Sequence, residues 1–206
     1  MNRGALRARL QVRLRIPPAG DPLLSEPVLN DCIAQALADV SSYNDWPWLL
    51  TSGSLTFVAG SAALPTDLVK ARDLVINSYR ARPASMSEFL DNGPFPSLYL
   101  WCVIGANVQL SPVPVNPASP TNTFYYIRPE PALTADTQSP LMPEAHQSAV
   151  ISRAAYHACI AKGMADAASV HNAEFETDLR RMNDATKRVT RPRQIRTVGF
   201  ERWATW

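Results

Sequence analysis

Histidines, cysteines and clustered carboxylates are the side chains that could carry reaction chemistry, and this chain spreads them thinly. His146 and His157 could share one face of a helix, but their spacing of three turns amounts to roughly 16 Å, too far to ligate one metal ion. His171 stands alone, and Cys159, two residues beyond His157, points to a different helix face. Cys32, Cys102 and Cys159 are odd in number, far apart and free of any C-x-x-C pair. That argues against a disulfide framework and a thiolate metal site, and for a reducing compartment. Glu174, Glu176 and Asp178 sit beside Arg180 and Arg181 and read as a solvated or inter-subunit helix face, not as an acid/base pair. The sequence holds no G-x-S-x-G elbow, P-loop, H-E-x-x-H or G-x-G-x-x-G, so the motif-borne routes to hydrolysis, phosphoryl transfer, zinc catalysis and dinucleotide binding lack support. The expectation is a protein that is not an enzyme and needs no cofactor.

Charge is more informative than chemistry. The chain of 206 residues has a net charge of only +2. Residues 1–20 carry five arginines and no acid (+5), and residues 180–206 carry eight basic side chains against Asp184 and Glu201 (+6), leaving −9 for residues 21–179. An acidic body with two cationic ends is built to meet a partner, either nucleic-acid phosphates or an acidic protein patch. Arg7, Arg9, Arg13 and Arg15 are the candidates at the N-terminal end for an inter-subunit or DNA-facing role. At the other end Arg191, Arg193, Arg196, Phe200, Arg202, Trp203 and Trp206 are the candidate partner-binding residues, because Trp and Arg dominate interface anchors. No apolar run approaches the roughly 20 residues that span a bilayer, so no membrane partner is expected.

The elements that must position these groups are legible in outline. Leu6 to Ile16 alternates apolar and polar, the signature of a half-buried strand, although Leu6, Leu10 and Leu14 also fall at i, i+4 and i+8 and keep a helix open. Ser25 as N-cap and the stripe Leu29, Ile33, Leu37, Val40 predict a helix to Tyr43. Trp46-Pro47-Trp48-Leu49 at its exit reads as a core plug. Short β-favouring runs follow at 54–58, 69–77, 98–104, 108–110 and 123–128, with a helical turn at 86–90 and a proline-rich break at 112–120. From Pro143 an alanine-rich helix leads to Gly163, and a second helix runs over 165–188. The fold expected is α+β: an antiparallel helical bundle (21–50 and 140–189) with an inserted small β-rich domain (51–139), a basic N-terminal segment (1–20) and a C-terminal arm (190–206).

The order of these features carries a resemblance. A first helix ending in W-P-W-L (Leu29 to Leu49) is followed by a hairpin with Gly60, Leu64, Pro65 and Asp67. A tyrosine-bearing strand then leads through R-P-x-P and P-L-M-P-E-A-H into an Ala-rich helix, on Tyr126, Arg128, Pro129, Pro131, Pro140, Pro143, His146, Ala154, Ala155 and Tyr156. Over residues 20–190 the chain resembles the head-to-tail adaptor (head-completion or connector) proteins of tailed bacteriophages. The resemblance implies a non-catalytic virion subunit at the neck, assembled in the host cytoplasm as a ring, commonly twelvefold. Such a ring docks under the portal protein, extends the channel for genomic DNA and offers a platform to tail or neck proteins. Helices and terminal arms would then make the contacts between copies and to the portal. The proline-rich run and the strand-like start depart from the family, whose members often look helical at the N-terminus. A tail-terminator or tube subunit, predominantly β, and a small DNA-binding module, which needs a basic recognition helix, are the rival readings.

Overall fold

A computed structural model of the chain describes residues 1–17, 20–91, 99–112 and 122–190. The start is helical: α1 runs over Arg3–Arg13, with the Asn2 side chain accepting from the Ala5 amide at 2.9 Å as N-cap. This corrects the strand pattern read from 6–16. Leu6 and Leu10 are buried and Leu14 packs against the same core, so the i, i+4, i+8 leucines outvote the two-residue alternation once a helical surface is available to receive them. The α1 C-terminus closes with amides of Arg15 and Ile16 donating to the carbonyls of Val12 and Gln11, the paired bonds of a Schellman motif. Arg15 occupies the left-handed position there, at φ 53°.

The second helix, α2 (Glu26–Tyr43), buries the expected stripe of Leu29, Ile33, Leu37 and Val40, widened by Cys32 and Ala36. Ser25 holds the N-cap position without a side-chain bond, and Pro27 fits the first turn, where no amide donor is needed. A short 3-10 turn at Pro47–Leu49 then redirects the chain. Trp46 is fully buried, donates its indole N–H to the Val40 carbonyl at 2.6 Å and stacks on Trp48 at 4.8 Å, as a core plug should.

The middle of the chain folds into a curled seven-stranded sheet: β1 (Leu50–Ser54), β2 (Ser61–Ala63), β3 (Lys70–Ile76), β4 (Tyr79–Pro83), β5 (Leu100–Ile104), β6 (Asn107–Ser111) and β7 (Thr123–Ile127). Their order is β1-β7-β3-β4-β5-β6-β2, with β4 and β5 parallel and the other pairs antiparallel. A helical turn, α3 (Met86–Asp91), precedes β5. Asn77 and Ser78, both at positive φ, make the two-residue turn between β3 and β4, whose hand suits the twist of a hairpin. The 54–58 strand expectation falls four residues late: pairing occupies 50–54, Leu55 and Phe57 turn into the sheet's interior, and Val58 only bridges Ser61. Neither β2, at three residues, nor β4, which holds Arg80 and Arg82 and ends in Pro83, carries a strand signal of its own.

Two helices follow the sheet, α4 (Gln147–Ala161) and α5 (Ala165–Thr190). Gly163, at φ 71°, ends α4, and Met164 returns its amide to Cys159. α4 packs on α1, α2 and α5. Apolar burial falls in two clusters. One lies among the helices around Leu10, Ile33, Trp46, Val150 and Leu179, and the other inside the curl of the sheet around Phe57, Leu74, Trp101 and Phe124.

Candidate partner-binding surface

The five N-terminal arginines divide three and two: Arg3, Arg7 and Arg13 have internal partners, while Arg9 and Arg15 have none among the described residues. Arg7, whose side chain is only 14 % exposed, donates to both carboxylate oxygens of Asp136 at 3.0 and 2.6 Å and to Asn30 at 3.1 Å. Its hydrogen bond to Asp136 raises the guanidinium pKa, and the bonds from Arg7 and Arg3 hold the Asp136 carboxyl below its ordinary range. Arg3 adds a bond to the Leu133 carbonyl at 2.9 Å, so α1 is fixed along the 133–138 segment. Arg13 pairs with Glu174 of α5. Against the desolvation that would raise it, hydrogen bonds from His171 and Arg13 lower the Glu174 carboxyl.

Arg9 and Arg15 differ. Both are exposed, and neither meets an acidic or hydrogen-bonding partner among the described residues. Between them Val12 is 79 % exposed, and with Ala8 it forms the solvent side of α1, opposite the buried Leu6 and Leu10. This surface pair is cationic at its edges and apolar at its centre. The C-terminal candidates Arg191, Arg193, Arg196, Phe200, Arg202, Trp203 and Trp206 lie outside the described residues.

A second surface lies on the far side of α2. Ala34, Leu37 and Ala38 of that helix face Val69 and the Pro129–Leu133 segment across a cavity of about 330 Å³. Its charged liners, Arg128 and Glu130, interact with each other, and burial pushes the Glu130 carboxyl up. Asp31, one helical turn before Ala34 and Gln35 on α2, is exposed with no partner among the described residues.

The reactive groups weighed from sequence each serve packing or local polar bonds. His146 lies against Trp48 at 5.6 Å between ring centres, and His157 shares the Asp39 carboxylate with Arg153, at 3.0 and 2.5 Å. Arg153 reaches Asn172 of α5 at 2.8 Å and covers the Tyr156 ring, tying α2, α4 and α5 together. Against desolvation, the Arg153 and His157 bonds lower the Asp39 carboxyl. The three cysteines are buried thiols. Among the described residues no group of three or more His, Cys, Asp or Glu could hold a metal ion, and no helix is long and apolar enough to cross a membrane.

Two of the positions that carried the family resemblance meet in space: the Tyr126 hydroxyl donates to Asp67 at 2.9 Å, joining β7 to the loop before β3. Burial, followed by that carboxylate, raises the Tyr126 phenol. Sequence reasoning missed Asp136, which lies in an irregular segment some 130 residues from its arginines and carries no local signal. It also missed the exposure of Val12, which the Leu6, Leu10, Leu14 spacing would have revealed had the helix been chosen over the strand.

Among the described residues, the groups singled out from sequence are engaged in packing, ion pairs and exposed surface. The family pattern described as SU10 adaptor protein matches residues 1–197, and the chain belongs to that phage head-to-tail adaptor family. No curated protein matches it. Membership makes the chain a structural adaptor of the phage virion that interacts with head and tail components.

Proposed function

We propose that the protein assembles into a ring, twelvefold by the family's habit, that docks beneath the portal, extends the DNA channel and presents a platform to tail or neck proteins. The observation that carries this reading is the family match over nearly the whole chain. The charge layout supports it, since cationic ends on an acidic body give head-to-tail copies something to attract. In this reading residues 21–50 and 140–189 are the helical scaffold, 51–139 the β-rich insertion, and 190–206 the arm that reaches the portal, with its arginines and tryptophans as anchors. Arg9 and Arg15, without partners among the described residues, take the inter-subunit or DNA-facing role, while Arg7 and Arg13 hold α1 in place for them. Assembly takes place in the host cytoplasm.

Removing residues 191–206 tests the reading. The truncated chain should give an unchanged circular dichroism spectrum yet no longer co-sediment with purified portal rings. Retained docking, or loss of folding in the truncated subunit, would count against the arm as the anchor.

A further inference from the structure

The free face of α1 has three properties that are unusual together. Val12 is almost fully exposed, Arg9 and Arg15 beside it lack partners among the described residues, and Arg15 sits in a left-handed conformation at φ 53°. The chain closes α4 with the same pair of bonds and there places Gly163, at φ 71°, the residue that pays no Cβ penalty. An arginine kept where glycine is favoured is strain of the sort that persists at contact sites. Two copies of this face would oppose arginine to arginine, so it does not pair with itself. DNA phosphates would satisfy the guanidiniums but leave Val12 and Ala8 without a use.

Elsewhere the molecule offers the complement. The cavity between α2 and the Pro129–Leu133 segment is open and mainly apolar, and Asp31, without a partner among the described residues, stands one helical turn before Ala34 of its lining. A solvent-exposed apolar residue flanked by cations, and on a different face an apolar hollow with that carboxylate one turn along α2, together make a heterologous contact, the type that closes into a ring when its rotation allows. Resting on the ring reading above, we infer that Val12 of one copy seats in the α2 cavity of the next, with Arg9 and Arg15 meeting the Asp31 side of that surface.

Cysteine cross-linking of the full chain tests this directly. The chain's own thiols are buried, so Val12→Cys with Ala38→Cys, oxidised on assembled rings, should give a covalent ladder of dimers, trimers and higher species on non-reducing gels. Each single variant should stay monomeric on the gel. Charge exchange supplies a second readout. Arg9→Glu with Arg15→Glu should lower the assembled fraction at fixed concentration at least tenfold, and adding Asp31→Arg should restore most of it. If wild-type rings form while the double-cysteine chain gives no ladder, the contact is wrong and the ring reading stands. Should the wild-type chain form no ring alone or on portal rings, the ring reading itself fails and takes this contact with it. Arginine reversal that leaves assembly intact but abolishes binding to a duplex DNA probe would overturn the contact in favour of DNA.

Discussion

At the scale of single residues, Arg15 and Asp39 make the sharpest claims. Left-handed backbone costs a non-glycine residue roughly 1–2 kcal/mol, so Arg15→Gly should stabilise the isolated subunit by about 1 kcal/mol in urea unfolding. The same variant should assemble less well, because it gains stability by giving up a contact side chain; an unstable variant would show that Arg15 has a local bonding role. Asp39 is held below its ordinary value of 3.8 by Arg153 and His157. A carboxylate depressed in the folded state contributes stability above its unfolded pKa and loses it as pH falls through the folded one. Wild-type stability should therefore drop more steeply below about pH 4 than that of Asp39→Asn, and parallel pH profiles would show that this carboxylate does not hold α2 to α4.

Elements differ in how far the sequence announced them. Stripes at helical spacing made α2, α4 and α5 readable, because each buries one face on a neighbour and the apolar positions repeat accordingly. α1 was ambiguous for a physical reason. Leu6-Arg7-Ala8-Arg9-Leu10 satisfies a period of two as well as one of four, and only the neighbouring α2 and α4 decide between them. Small strands such as β2 are defined by their partners, not by their own three residues. The Trp46-Pro47-Trp48 plug was visible from its position, though burial falls mainly on Trp46. Trp46→Ala should cost about 3–5 kcal/mol, as large core truncations do. Trp48→Ala, at a half-buried position, should cost less, and the reverse ranking would show that the stack is organised around Trp48.

Taken as a whole molecule, the chain shows why charge along the sequence predicted less than charge in space. All five N-terminal arginines read alike in one dimension, yet Arg3, Arg7 and Arg13 secure α1 to Asp136 and Glu174, which lie more than 120 residues away. Arg9 and Arg15 have no such partner among the described residues and are the pair we propose for another molecule. No local pattern encodes that partition, whereas membership of the adaptor family was legible from the order of the W-P-W-L, Asp67, Tyr126 and R-P-x-P segments. The family's part in joining head and tail then asks most of surfaces, and the fold meets that demand by joining the helical core to the sheet through the Trp46–Leu49 turn and Ile127. We propose that copies of this chain close into a ring at the head-tail junction. Native mass spectrometry of the full-length protein, alone and mixed with purified portal rings, tests it most directly. A single closed oligomer, formed alone or only on the portal, is the predicted result; a monomer that persists in both samples would contradict it.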